Sequence, residues 1–362
     1  MKKVMITPDL GKQLGRILYR DGICYLGYSA SEIGILYSGN RIIADILTDD
    51  FRKEERLQGW IGVMVGEDSE PWKRIPLEAE EAEYLLFDRE EYARYKGVAA
   101  ESLPDKLAVR IIKYSEVAFG VAGIRYLLVD ENATMEALPR KAKRLEFIGD
   151  SITCGYGIEG VWNVDEFCTA QENPMKDYAV RTANALDADY QLVSWSGIGL
   201  ISDWIPPEVD EPDTTVLMPM LYPYTNRMFC ERQGMEQEAW DFGKFLPDAV
   251  VIHLGTNDAS YTREKPEREA LYVEAYRKLY ADVRSRYGKE IPVVCCLGIM
   301  DRTLCPVIDK MVQELHAEGE NVHYVEFAGQ REEDGIASDW HPSEKTHIIA
   351  AEVLTKKLRE LI

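Results

Sequence analysis

Four short motifs in the second half of the chain carry polar side chains that could act together on one substrate. Ser151 lies in GDSI, Gly197 in SWSGIG, Asn257 in LGTND, and Asp339 and His341 lie in DWHPS. A hydroxyl, an imidazole and several hydrogen-bond donors are the groups that nucleophilic acyl transfer requires. Each motif alone could be a turn or a helix cap. Their joint order along the chain is what indicates a catalytic site.

The pattern assigns a role to each of these residues. Ser151 is predicted to be the nucleophile and His341 its general base. Asp339 stands two residues before His341, so in an extended or turning loop both side chains can lie on one side, and Asp339 would orient the imidazole. The backbone N–H groups of Ser151 and Gly197 and the amide of Asn257 are predicted to form an oxyanion hole. If Asp339 points elsewhere, a Ser–His dyad remains.

The other histidines fit the role of base less well. His253 lies within an apolar strand segment and is predicted to be a core residue. His316, His323 and His347 are predicted to lie on the surfaces of helices or strands. His341 is therefore the preferred base.

In the second half of the chain, predicted strands and helices alternate as they do in an α/β domain with a parallel sheet. Short apolar runs read as buried strands, and longer segments between them read as helices. The strands are predicted at Leu145–Gly149, Tyr190–Ser194, Ala249–Leu254, Ile291–Leu297 and Val322–Phe327. The helices are predicted at Met175–Leu186, Glu267–Tyr287, Thr303–His316 and Ser343–Ile362. Ligands bind beyond the carboxyl ends of such strands, which is where the four motifs fall.

The first half has a different rhythm, with short β-type segments separated by turn clusters. This spacing predicts an antiparallel β-sandwich or barrel-like domain over residues 1–130. A helical excursion is expected within Leu77–Tyr95. Residues 131–143 are polar, contain Pro139 and are predicted to be a linker. The α/β domain is then predicted to span residues 144–362.

The four motifs resemble those of the SGNH (GDSL-type) hydrolases, and the resemblance extends from Arg144 to the C-terminus. With a β-sandwich ahead of it, the layout is similar to that of carbohydrate esterase family 2. The resemblance is also carried by LMPMLYPYTNR, by AVVIHLGTND and by DWHPS. It implies a three-layer α/β/α domain with a parallel sheet, preceded by a jelly-roll-like β-sandwich.

The same resemblance implies an acetyl xylan esterase-like activity that proceeds through an acetyl-enzyme intermediate. The expected substrates are acetylated xylan, mannan or oligosaccharides derived from them. Trp340, Trp195 and Tyr222 lie near the motifs and are predicted to bind the sugar. A broad-specificity carboxylesterase or a lysophospholipase on the same fold stays open as an alternative, because a fold does not set the substrate. A glycan-binding protein that keeps the domain as a scaffold is the alternative outside enzymes.

Charge and composition narrow the partners further. The formal net charge of −21 over 362 residues argues against nucleic acid and favours a neutral substrate. No apolar run approaches the ~18 residues that cross a bilayer, so no membrane partner is expected.

The start lacks the apolar region of a signal peptide, which favours the cytoplasm unless a signal has been trimmed. The seven cysteines show no C-x-x-C pair, and no metal or organic cofactor is expected. Assembly into a homo-oligomer is left open.

Overall fold

The computed structural model describes residues 1–49 and 54–362. Contacts between Cα atoms divide the chain into two compact units, Met1–Arg140 and Lys141–Ile362. Within the described ranges, none of the helices combines the length and apolarity needed to cross a membrane. The elements are numbered in chain order within the described residues.

The first unit is built from antiparallel strands. They are β1 (Lys2–Val4), β2 (Lys12–Leu14), β3 (Leu18–Arg20), β4 (Ile23–Leu26), β5 (Glu32–Ser38), β6 (Arg41–Leu47), β7 (Trp60–Val65), β8 (Lys73–Pro76), β9 (Glu81–Asp88), β10 (Leu107–Lys113), β11 (Ala122–Val129) and β12 (Thr134–Ala137). Helix α1 (Arg89–Lys96) follows β9.

These strands form two sheets with one core between them. One sheet has the order β3-β4-β11-β6-β9, with β1 also paired to β11. The other has the order β12-β5-β10-β7-β8, with β2 also paired to β5. Ile46 and Leu127 from the first sheet and Ile35, Val63 and Ile111 from the second are buried in the same cluster. Two antiparallel sheets that share a core are a β-sandwich, as the sequence predicts.

One local prediction for this unit needs correction, and another is confirmed. Residues 131–143 are not simply a linker, because Thr134–Ala137 forms strand β12 and pairs with β5. Three of the four β12 residues are exposed, so this edge strand lacks the apolar pattern that would reveal it. The helix expected within Leu77–Tyr95 is present as α1, which begins at Arg89 after strand β9. Asp88 caps this helix by accepting from the N–H groups of Glu90 and Glu91.

The second unit alternates strands with helices. Its strands are β13 (Lys143–Gly149), β14 (Ala188–Ser194), β15 (Ala249–His253), β16 (Val293–Gly298) and β17 (Val322–Phe327). Its helices are α2 (Ser151–Cys154), α3 (Tyr178–Ala185), α4 (Met218–Leu221), α5 (Arg227–Arg232), α6 (Thr256–Thr262), α7 (Pro266–Tyr287), α8 (Cys305–Ala317) and α9 (Glu344–Arg359).

The strands of this unit make one parallel sheet with the order β14-β13-β15-β16-β17. Every residue of β14, β15 and β16 is buried, because helices cover both faces of the sheet. Helix α3 packs on α9, and α7 packs on α8. The chain passes from β13 to β14 on one side and returns to β15 on the other. In sheets of this kind, the usual ligand site lies at such a reversal, which here is at the carboxyl end of β13. The predicted three-layer α/β/α fold is confirmed.

Candidate active site

The nucleophile lies at the end of the central strand. Strand β13 ends at Gly149, and Asp150 caps α2 by accepting from the Ile152 N–H at 3.0 Å. Ser151 is the first residue of that helix, where N–H groups have no intrahelical acceptor. A side chain at position 149 would collide with Thr153, so glycine is needed for the turn that presents the serine.

Ser151 and His341 form the hydrogen bond of a catalytic pair. The distance from Ser151 Oγ to His341 Nε2 is 2.8 Å across 190 residues of sequence. On the other side of the ring, Nδ1 faces the backbone carbonyls of Asp339 at 3.1 Å and Ser338 at 3.2 Å. These carbonyls accept from Nδ1–H, which leaves Nε2 as the acceptor for the serine proton. Burial lowers the pKa of His341 to about 4, so near neutral pH the ring is a free base.

The loop that carries His341 is held by short backbone contacts. The His341 N–H donates to Ser338 at 3.0 Å, and its carbonyl accepts from Ala337 at 2.8 Å. Pro342 keeps His341 extended, with φ −78° and ψ 163°. Ser343 then caps α9 through its hydroxyl, which accepts from the Thr346 N–H. A capped helix next to a proline therefore anchors the base.

The predicted role of the Asp339 carboxylate is wrong. Asp339 Oδ2 accepts a hydrogen bond from the Tyr156 hydroxyl at 2.9 Å, and only the backbone carbonyl of Asp339 faces the imidazole. Asp339 has a left-handed backbone, with φ +51°. This conformation directs the carbonyl and the carboxylate to different partners. The site is a Ser–His dyad supported by backbone carbonyls.

This arrangement predicts that Asp339→Asn retains activity. In a carboxylate triad the same change costs about 10⁴-fold in kcat, because it leaves the histidine in the wrong tautomer. Here the tautomer is set by backbone carbonyls, and an asparagine oxygen can still accept from Tyr156, so we expect kcat to stay within about fivefold of wild type. Steady-state kinetics with an aryl acetate measure this. A thousandfold fall in kcat would show instead that the Asp339 carboxylate takes part in catalysis.

The side chain of Asn257, one of the predicted oxyanion donors, lies next to the turn of Ser151 and to the loop of Gly197. Asn257 lies in the first turn of α6, and its Nδ2 donates to the Ile198 carbonyl at 2.9 Å. The same nitrogen is 3.5 Å from Asp150 Oδ2. The Asn257 amide therefore lies between the turn of Ser151 and the loop of Gly197. Gly197 has φ +85°, and a Cβ there would meet Asp203 Oδ1 at 2.5 Å, so this loop conformation requires glycine.

A buried carboxylate that the sequence argument overlooked fixes the Gly197 loop. Asp258 accepts from the N–H groups of Leu200 and Ile201, each at 2.8 Å. Burial raises the pKa of Asp258 to about 6 and that of Asp150 to about 7. Asp258 follows Asn257 in LGTND, so the loop is tied to the helix that carries the amide donor. The position of Asp258 directly after Asn257 is the feature of the sequence that could have indicated this role.

Replacing Asn257 with alanine tests the oxyanion hole. Loss of one such donor typically lowers turnover by about 10²–10³-fold, so we expect that loss in kcat. The variant also loses the bond to Ile198, which costs about 1 kcal/mol of unfolding free energy and leaves the domain folded. Asn321→Ala is a matched control, because that amide also donates to a backbone carbonyl, at 2.7 Å from Glu290. Near-normal turnover of Asn257→Ala would show that Asn257 is not part of the oxyanion hole.

The predicted substrate-binding aromatics have different environments. Trp340 is 40% exposed beside His341 and makes an edge contact with Trp162, with centroids 5.6 Å apart. Trp195 is partly exposed. Tyr222 is completely buried and donates to Glu146 Oε2 at 2.9 Å, so its predicted role in binding substrate is wrong.

Two further exposed tryptophans lie near the site, and the four motifs do not predict them. Trp162, the edge-contact partner of Trp340, is 37% exposed. Trp204 is 57% exposed, and its backbone N–H donates to the carbonyl of Gly197 at 2.9 Å. Neither lies inside a catalytic motif, so motif reading alone could not find them.

The remaining histidines are not alternatives to His341. His253 is buried, as predicted, and packs between Tyr178 and Phe327. His347 is also buried and accepts the Tyr178 N–H on Nδ1 at 3.1 Å, which corrects its predicted surface position.

Comparison with known proteins agrees with this geometry. The family model described as the GDSL-like Lipase/Acylhydrolase family matches residues 147–349, more than half of the chain. The chain is 30% identical over 273 residues to an acetylxylan esterase / glucomannan deacetylase of Cellvibrio japonicus, covering 72% of this chain and 71% of that protein. It is 36% identical over 230 residues to the cellulase/esterase CelE of Acetivibrio thermocellus, covering 62% of this chain. That match spans only 26% of CelE.

A solved structure extends the similarity over both units. The family two carbohydrate esterase from Clostridium thermocellum, in complex with cellohexaose, has a TM-score of 0.79 and 28% identity. The match covers 96% of this chain and 98% of that one. The predicted resemblance to SGNH hydrolases and to carbohydrate esterase family 2 is confirmed. With the family match over residues 147–349 and a Ser–His pair at the carboxyl edge of a parallel sheet, the chain belongs to the GDSL-like lipase/acylhydrolase family.

Proposed function

We propose that the chain is a serine esterase that removes O-acetyl groups from plant-wall polysaccharides or from oligosaccharides derived from them. The observation that carries the proposal is the 2.8 Å hydrogen bond between Ser151 Oγ and a neutral His341, next to the Asn257 amide. A hydroxyl paired with an imidazole base is the arrangement for attack on an ester carbonyl. The names of the related esterases direct the proposal to acetylated xylan and glucomannan.

The geometry supports a two-step acyl transfer. Ser151 Oγ attacks the acetyl carbonyl carbon while its proton passes to His341 Nε2, and the carbonyl oxygen becomes an oxyanion held by the Asn257 amide and the N–H groups of Ser151 and Gly197. When the tetrahedral intermediate collapses, the bond to the sugar oxygen breaks, and that oxygen takes the proton from Nε2. Water then attacks the acetyl-serine by the same route and releases acetate.

The exposed tryptophans favour a carbohydrate as the leaving group. Trp340 immediately precedes His341 in the sequence. The backbone N–H of Trp204 donates to the carbonyl of Gly197. Exposed aromatic faces suit the apolar face of a pyranose ring, while polar groups orient its hydroxyls. A net charge of −21 also favours a neutral polysaccharide over an anionic substrate.

The test is acetate release from acetylated xylan, acetylated glucomannan and an aryl acetate. An aryl octanoate and a lysophospholipid are assayed beside them as competing substrates. We expect acetate from the two polysaccharides and from the aryl acetate, with little turnover of the octanoate or the lipid. A preference for the long-chain ester or the lipid would replace the proposal with a general carboxylesterase or a lysophospholipase.

A further inference from the structure

The ring of Tyr156 lies against the catalytic imidazole. The centroids of Tyr156 and His341 are 4.4 Å apart, with an angle of 37° between the ring planes. On its other face Tyr156 stacks on the buried ring of Phe167, at 3.8 Å and 9°. Phe167 therefore fixes the plane of the tyrosine that supports one side of the base.

The backbone of Tyr156 connects this stack to the nucleophile. Its N–H donates to the carbonyl of Ser151 at 3.1 Å, immediately after the turn that ends α2. One residue therefore contacts the backbone of the nucleophile and the ring of the base.

The hydroxyl of Tyr156 acts on the loop of the base. It donates to Asp339 Oδ2 at 2.9 Å, where Asp339 and Trp340 have φ values of +51° and +63°. Non-glycine residues rarely adopt this left-handed region, so the loop needs partners that hold it there. In this conformation the carbonyl of Asp339 faces His341 Nδ1, and the bond from Tyr156 keeps the carboxylate directed away from the ring.

We infer that Tyr156 is a positioning residue for His341, and that its stacked ring, with a smaller contribution from its bond to Asp339, holds the plane of the imidazole whose Nδ1 the backbone carbonyls of Ser338 and Asp339 face. The inference rests on the proposed esterase function. Proton transfer depends on a narrow range of distance and angle, so an imidazole that can tilt loses turnover more than substrate affinity. An aromatic face also favours the imidazolium that forms during attack.

Substitutions that keep or remove the ring separate this role from simple packing. Tyr156→Phe keeps the stack and loses the hydroxyl, whereas Tyr156→Leu loses both. With an aryl acetate we expect Tyr156→Leu to lower kcat by about 10- to 100-fold with KM within about twofold, and Tyr156→Phe to keep kcat within about fivefold of wild type. Tyr324→Leu, a partly exposed tyrosine on the edge strand β17, is the matched control and should leave kcat unchanged.

Three results would overturn the inference: kcat of Tyr156→Leu within twofold of wild type, a fall in Tyr156→Phe as large as that in Tyr156→Leu, or a loss carried by KM. Should Tyr156→Leu fail to fold, Phe167→Leu replaces it, because this variant leaves Tyr156 without the ring behind it. Its kcat should fall about three- to tenfold at constant KM, and an unchanged kcat would count against the inference. Wild-type protein is assayed first, since an inactive wild type refutes the esterase proposal, whereas an active wild type with unaffected variants refutes only the role of Tyr156.

Discussion

Alanine at position 151 is expected to lower kcat for an aryl acetate by about 10⁴- to 10⁶-fold, because the acyl group then has no oxygen to which it can be transferred. Residue Ser151 is 6% exposed, and its hydroxyl forms a hydrogen bond with His341 Nε2. Alanine fits the same space and favours the first turn of a helix, so the fold should persist. Residual hydrolysis should come only from the oxyanion donors acting on bound ester.

Two measurements decide the result for Ser151→Ala. The kcat of purified variant and wild type is compared with one substrate, and thermal unfolding shows that both are folded. Ser285→Ala is a matched control, because this serine lies on helix α7, where its hydroxyl donates to the Asp282 carbonyl at 2.7 Å. An active Ser151→Ala variant would show that the nucleophile lies elsewhere and would refute the assignment of the motifs.

Alanine at position 341 should cause a loss of similar size. His341 takes the proton from Ser151 and returns it to the leaving oxygen, so without it the hydroxyl is a weak nucleophile. We expect kcat to fall by about 10⁴- to 10⁶-fold, and the double variant with Ser151→Ala to be no worse than either single variant. This lack of additivity follows because the two side chains act as one unit.

The comparison for His341 is another histidine of the same unit. His323 is partly exposed on β17 and bonds to Asn321 Oδ1 at 3.0 Å, so His323→Ala should leave kcat unchanged. Additive losses in the double variant, or equal losses in His323→Ala and His341→Ala, would contradict the dyad.

The sequence predicts well those features that depend on local patterns. The apolar runs that become β13, β15 and β16 are buried on both faces, and this makes them visible without a structure. Ser151 and His341 could be identified because the order of the motifs places both at the carboxyl edge of a parallel sheet. The strands are indicated by short-range signals such as periodicity, whereas Ser151 and His341 are indicated by the order of the four motifs along the chain.

Distant contacts that no motif marks could not be predicted. The direction of the Asp339 carboxylate is set by Tyr156, which lies 183 residues earlier in the chain. Tyr222 is buried, and its hydroxyl donates to Glu146 on β13, which lies 76 residues earlier in the chain. Spacing in the sequence shows which side chains could meet, whereas the choice between two partners is made by tertiary packing.

The most direct test of the account is to locate covalent attachment by an acyl-transfer probe. Wild-type protein is treated with a fluorophosphonate, digested and analysed by peptide mass spectrometry, beside Ser151→Ala and His341→Ala. We expect one modified site, Ser151, with no label in Ser151→Ala and much slower labelling in His341→Ala. Label on another residue, or equal labelling of wild type and Ser151→Ala, would contradict a mechanism in which Ser151 attacks the ester.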